Sequence, residues 1–337
     1  MKKHSIGNAL ACVGAVIGAG FASGREIAAF FSSYGWLGWW LLAIAAGMMT
    51  WLCWICLNRS GQTGAACWCD LFEGKNAIVR YGAKICTMLL LIVTTGAMIA
   101  ASGQMVALVW NGRYAWLIGA AGTLAAAWIV GRKSMRPLEW ISGVLIVLLA
   151  TAVISGLGVS HERTVHLTTE ITFFQSITAA VRAAAYAAMN LTLAIGVVCR
   201  SAHEERKINL HTALCFGLMM LLMMGMNHLL LIRYPDWLGE SFPLVRILTR
   251  FGQKGFYLGA ILVYLSVFTS LAATLYALRC AVEVKTESSF ARFAVVVCLP
   301  ALVSLMGFAQ IVDRLYAPAG MICLFVVFYP LLKSRSA

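Results

Sequence analysis

The sequence predicts an all-α polytopic membrane protein. About ten transmembrane helices form a five-plus-five inverted repeat, with helices 1 and 6 broken. Three observations predict this. Of the 337 residues, 61% are hydrophobic and 12% charged, about half the roughly 25% charged content of a soluble domain, and mean hydropathy is +0.84. Apolar segments near the roughly 20 residues that a helix needs to cross a bilayer recur along the chain. They divide near residue 165 into two groups of five, so the second group enters from the opposite side, as an inverted repeat requires.

The spans run roughly over 5–31, 35–57, 82–109, 114–131, 137–158, 172–199, 209–232, 256–280, 290–307 and 311–332. Met1-Lys-Lys-His ahead of an apolar run resembles a signal peptide, but the run continues through Phe31, past the roughly 7–15 residues of a signal core, and reads as a retained first helix. The second span carries Trp36, Trp39, Trp40, Trp51 and Trp54, and tryptophans at span ends form the interfacial belt. Asn58 to Arg80 is a polar loop or a short surface helix. Asn111-Gly-Arg113 is a tight turn, and Pro137 suits the first turn of the fifth span. Ser160 to Glu170 closes the first half, so the repeats cover about 1–165 and 166–337 of one transmembrane domain. Arg233 to Lys254 is the longest loop, and Phe242, Val245, Ile247 and Leu248 give it an amphipathic stretch that is either a lid or a solvated connector.

The net charge of +13 would suggest nucleic acid in a soluble protein. Here the basic residues sit in short loops and report orientation. With the N-terminus inside, 17 of the 26 Lys and Arg fall on inner segments and seven on outer ones, four of those in the single long loop. Both termini are therefore expected in the cytoplasm. The 11 cysteines are scattered through apolar spans, where cysteine acts as a small hydrophobe. Cys67-Trp-Cys69 is a weak metal signal with no histidine near it. No HExxH motif, paired carboxylates or filter motif is present, which argues against an enzyme or a channel.

The stretch Gly14-Ala-Val-Ile-Gly-Ala-Gly-Phe-Ala-Ser-Gly-Arg-Glu26 organises the rest. Four glycines within eleven positions precede a charged pair in mid-span. Each glycine weakens a helix by about 1 kcal/mol relative to alanine, and backbone freed in lipid must be satisfied inside the protein. The cluster serves either close packing by small residues or a break lining a central site. In the sixth span, Asn190 and Thr192 after Tyr186 suggest a second interruption.

These residues, with Tyr186-Ala-Ala-Met-Asn190 and the span count, resemble the YkvI-like amino acid permease family, similar to the amino acid–polyamine–cation superfamily with its LeuT-type fold. The resemblance covers the whole chain and is most specific in the first span. It implies a secondary transporter of an amino acid or similar small zwitterion in the bacterial cytoplasmic membrane. The partners implied are that small-molecule substrate and the lipid bilayer, with no nucleic acid. It implies no cofactor, with Na+ as coupling ion. Substrate would contact Gly18, Ala19, Gly20 and Phe21 at the break, with Tyr186 and Asn190 opposite and Gln104 from the third span. A substrate carboxylate suits the amides that open the half-helix. The carbonyls of Gly14 and Ile17 and the hydroxyl-bearing Ser266, Thr269 and Ser270 of the eighth span would hold Na+; hydroxyls that bond back to their own helix are the alternative.

Proton coupling is the competitor. The fifth span lacks the lysine that replaces sodium in some relatives of the superfamily. Glu26 is the only carboxylate well inside a span and is a functional candidate by position. It would carry a proton, or join Arg25, Arg182 and Asp313 in a gate. Neighbours on a helix point about 100° apart, so Arg25 and Glu26 need not pair with each other. A sensor built on the same fold is a further alternative, because fold does not fix function.

Overall fold

The computed structural model describes residues 13, 18–63, 70–72, 76–131, 136–158, 172–204, 208–283 and 293–333. Among them every regular element is helical. Six helical stretches are long and apolar enough to cross a membrane, and Ala115–Val130, Gly143–Ser155 and Ala294–Ser304 are shorter apolar helices. The protein is a multi-pass membrane protein. Trp36, Trp40 and Trp110 stand exposed at helix ends, where interfacial aromatics belong.

The first span is in pieces. Gly18 is extended (φ −80°, ψ −173°), Ala19–Ala22 forms a single turn (α1), and Gly24 turns left-handed (φ +81°) before Arg25–Phe30 (α2). That φ is the conformation glycine adopts without steric cost. Ser23 satisfies backbone groups freed at the junction: its hydroxyl donates to the Gly20 carbonyl at 2.9 Å and accepts from the Arg25 amide at 3.2 Å. The remaining helices are Leu37–Thr63 (α3), Ala77–Val109 (α4), Ala115–Gly131 (α5), Arg136–Gly158 (α6), Phe173–Glu204 (α7), Ile208–Ile232 (α8), Pro243–Leu248 (α9), Gly252–Glu283 (α10), Leu299–Ser304 (α11) and Phe308–Cys323 (α12). A π-type turn, Ala294–Cys298, leads into α11, and another, Leu324–Phe328, continues α12 into Tyr329–Lys333 (α13). At 33 residues α4 is about 50 Å long, more than a bilayer core requires, so it crosses tilted.

The expected break in the sixth span is absent: α7 runs unbroken from Phe173 to Glu204. Its polar residues need no break because they bond within the helix. Asn190 Nδ2 donates to the Tyr186 carbonyl at 3.1 Å, and Thr192 Oγ1 donates to the Ala188 carbonyl at 2.7 Å. The Asn58–Arg80 segment is not wholly a loop either. α3 continues to Thr63, and Leu71 and Phe72 of a short 3₁₀ turn are buried.

Packing divides the helices into two groups. α3 packs against α7 and α8, whereas α4 packs against α5, α10 and α11. The contacts follow the repeat. α5 on α10 is matched by α11 on α4, and α6 on α10 by α12 on α4, as expected when each span corresponds to the one five places later. The broken first span touches both groups: α1 lies on α10, while α2 lies on α7, α8 and α12.

The amphipathic loop segment is a docked lid rather than a solvated connector. Leu244, Val245, Ile247 and Leu248 of α9 are buried, and the Leu244 amide donates to the Ser23 carbonyl at 2.9 Å. A Cβ on Gly24 would stand 3.3 Å from Pro243, so α9 seats directly on the break.

Candidate functional site at the break of the first span

The break brings α10 against α1. The Ala19 amide donates to Ser270 Oγ at 3.2 Å, and a Cβ on Gly18 would lie 3.4 Å from the same oxygen. The hydroxyl thus stands at one of the two amides expected to receive a substrate carboxylate. Thr269 and Ser266, with Ala22 of α1, Leu145, Ile146 and Leu149 of α6 and Leu262 of α10, line a small cleft. Thr269 Oγ1 also donates to the Ser266 carbonyl at 3.1 Å, the back-bonding that hydroxyl residues make in helices. Gly14 and Ile17 lie outside the described residues, as do Cys67 and Cys69.

Consecutive charged residues at the start of α2 take opposite routes. Arg25 reaches outward, pairing with Asp313 of α12 and donating to the Glu240 carbonyl at 3.1 Å. Glu26 turns inward and is only 5% exposed. Its carboxyl folds back over Gly20, so that a Cβ there would meet Oε1 at 1.9 Å. Absence of a side chain at Gly20 is what gives the carboxylate its place. The Tyr186 hydroxyl stands within interaction range of the Glu26 carboxyl, whose Oε2 is buried with no hydrogen-bond partner among the described residues.

Tyr186 is fully buried. Its ring centroid is 5.1 Å from those of both Phe30 and Phe31, edge-on to Phe31. Phe21 is buried in the same core. Arg182 does not pair with Glu26. It donates to the Tyr34 hydroxyl at 3.1 Å and the Ala29 carbonyl at 3.5 Å, and lies over the Phe30 ring at 5.4 Å. Asn190 spends its amide on its own helix. Gln104 packs beside Gly307, ahead of α12, with Oε1 buried and unpartnered among the described residues. The structure thus gathers Gly18, Ala19, Gly20, Glu26, Tyr186 and Ser270, and gives Arg25 and Asp313 to the outer rim.

Tyr316 was not anticipated from sequence. It is fully buried on α12, close enough to interact electrostatically with Glu26 and Tyr186. Nothing in the sequence around it set it apart from a packing tyrosine.

A multi-span helical protein whose first span breaks between two helix groups, each built from spans of both halves of an inverted repeat, has the LeuT-type architecture. No protein-family model matches the chain. The uncharacterized membrane protein YkvI of Bacillus subtilis (strain 168) is 25% identical over 336 residues, covering 93% of this chain and 91% of that protein. Among solved structures, a mutant of the manganese transporter of Eremococcus coleocola is similar over 98% of this chain and 78% of its own, with a TM-score of 0.63 at 15% identity. MhsT, in complex with L-phenylalanine, is similar over 95% of this chain and 88% of its own, with a TM-score of 0.62 at 15% identity. The sequence similarity bears out the resemblance to YkvI-like proteins, and the structural similarities establish the fold.

Proposed function

We propose that the chain is a secondary active transporter that moves an amino acid or similar small zwitterion by alternating access, coupled to Na+. The observation that carries this is the glycine-broken first span, buried between the two helix groups with Ala19 hydrogen-bonded to Ser270. A break touching both groups can pass its substrate from one side to the other as the groups rock. The MhsT–phenylalanine complex supports an amino-acid-like ligand for this architecture. A manganese-type site is less well supported: among the described residues no three His, Cys, Asp or Glu side chains gather. Ser266, Thr269 and Ser270 on α10, with Gly14 and Ile17 on the first span, are proposed as the cation site, and Arg25 with Asp313 as the outer gate. The site is placed in the cytoplasmic membrane of a bacterium with both chain ends inside, following the distribution of basic residues.

A second reading, proton coupling, is favoured by one observation, the Glu26 carboxyl buried beside Tyr186. Uptake into proteoliposomes separates the two. Uptake that follows an imposed Na+ gradient and falls in Ser270→Ala supports sodium coupling. Uptake that follows a pH gradient and is abolished in Glu26→Gln supports the proton. Saturable binding without uptake under either gradient would instead mark a sensor.

A further inference from the structure

Among the described residues no cation pairs with the Glu26 carboxyl. The two guanidinium groups nearest in the chain and the packing are both committed elsewhere: Arg25 to Asp313 and the Glu240 carbonyl, Arg182 to Tyr34, the Ala29 carbonyl and the Phe30 ring. The titratable groups that do face Glu26 are the phenols of Tyr186 on α7 and Tyr316 on α12, and both are neutral donors in their ordinary state. Oε2 is left with no hydrogen-bond partner among the described residues. A buried carboxyl either keeps its proton or, once ionised, is completed by a partner of opposite sign.

The surroundings specify that partner. The carboxylate is bordered by the aromatic residues Tyr186 and Tyr316, with Phe31 edge-on to Tyr186. Aromatic rings attract cations through their faces, and do so more strongly when water is excluded. A carboxylate flanked by buried aromatic rings, with no other charged group among the described residues to neutralise it, is complementary to an alkylammonium. A hydrated inorganic cation would ask for more oxygen ligands than one carboxylate and two phenols supply.

We infer that Glu26 anchors the ammonium group of the transported molecule, with Tyr186 and Tyr316 forming the walls around that group. The inference rests on the proposed transport function and specifies the charged end by which the substrate is held. In the present structure the Glu26 side chain itself fills the space over Gly20. The ligand takes that space, and the carboxylate rotates to its flank.

The test uses the full-length detergent-purified protein and ligand trios of one carbon skeleton: leucine, isoamylamine and 4-methylpentanoate; phenylalanine, phenethylamine and 3-phenylpropionate; alanine, ethylamine and propionate. A ligand that binds the folded state raises its melting temperature. The expected result is that, in at least one trio, the amino acid, the amine or both stabilise the protein while the deaminated acid does not. Stabilisation by the amine alone identifies a simple amine as substrate, and by the amino acid a zwitterion. Glu26→Gln should then weaken binding at least tenfold. If that variant does not fold, the wild-type trio decides alone. A deaminated acid that binds as well as its amino acid, or Glu26→Gln binding with unchanged affinity, overturns the ammonium assignment and leaves the transporter proposal standing. No stabilisation by any member of the panel overturns both.

Discussion

Gly20→Ala tests the geometry of the site directly. The added Cβ would lie 1.9 Å from Glu26 Oε1, 2.4 Å from Cδ and 2.7 Å from Cγ, where ordinary contact begins at 3.4 Å. The carboxylate must retreat by about 1.5 Å, half the length of an O–H···O hydrogen bond. That takes it away from the Tyr186 hydroxyl. Only the end of a flexible side chain is in the way, so the backbone need not move. The loss is at most the roughly 3 kcal/mol of a hydrogen bond to a charged group, and alanine returns up to about 1 kcal/mol in helix propensity. The net destabilisation is therefore at most about 3 kcal/mol, too small to unfold the protein. Ligand-induced thermal stabilisation should nonetheless be lost, because the Glu26–Tyr186 pair is displaced. Gly122→Ala, where no atom stands within 4 Å of the new Cβ, is the control and should keep both stability and ligand response. If Gly20→Ala responds to ligand as the wild type does, the carboxylate does not lie over Gly20 in the binding state. If it fails to fold, the obstacle is backbone and the steric reasoning is wrong.

Gly320→Ala should behave in the opposite way. Its Cβ would meet the Ala185 carbonyl oxygen at 2.2 Å, where α12 crosses α7 backbone to backbone, so a helix must shift; overpacking of this kind costs about 1–3 kcal/mol or more, visible as a fall in melting temperature well beyond that of Gly20→Ala. Asp313→Asn removes the partner of Arg25 at a site where the Asp313 side chain is 40% exposed. The Arg25 side chain is only 14% exposed, so losing its partner should cost more than the roughly 0–1 kcal/mol of a surface pair, seen as a modest fall in melting temperature, and hydrogen exchange over residues 243–248 and at Ser23 should rise as this contact loosens. The thiols of Cys86 on α4 and Cys323 on α12 stand 3.5 Å apart in the core. A membrane-permeant disulfide oxidant should join them, read as a linked peptide pair by mass spectrometry, and absence of that link in folded protein would contradict the packing of α12 on α4.

The fold was legible because it is written in features that need no partner to interpret. Hydropathy marks the spans, the odd number per half sets their inversion, and the glycines of the first span mark a place where helix cannot be maintained. The sixth span misled for a physical reason. Asn190 and Thr192 carry groups that either open a helix or bond back to it, and sequence does not say which; the carbonyls of Tyr186 and Ala188 were in reach and took them. Arg182 misled similarly, since a guanidinium in mid-span demands partners but does not name them. It found a phenol, a carbonyl and a ring rather than a carboxylate. Tyr316 was invisible because a lone tyrosine on an apolar helix ordinarily only packs, and its proximity to Glu26 arises from α12 lying close to both α7 and α2. The lid was half legible: its apolar residues were evident, but not the Ser23 carbonyl on which it is seated.

The gate and the site proposed above share one short element. Arg25 and Glu26 are adjacent on α2, a helix of six residues bounded on one side by the left-handed Gly24. So short an element turns as a unit, and its two charges cannot be repositioned independently. Arg25 holds the outer rim through Asp313 and the Glu240 carbonyl, while Glu26 holds the core through Tyr186. In the transport cycle proposed above, a rotation of α2 that frees the carboxylate to receive a ligand would also reposition Arg25 against Asp313. α9 adds to the same linkage, because it is bonded to Ser23 at the hinge rather than to the rim alone. Coupling between outer closure and occupancy of the central site then follows from one short helix with two differently directed charges. Moving either charge by one residue would separate the functions, which is why the order Gly-Arg-Glu, rather than the mere presence of the three residues, matters to the mechanism.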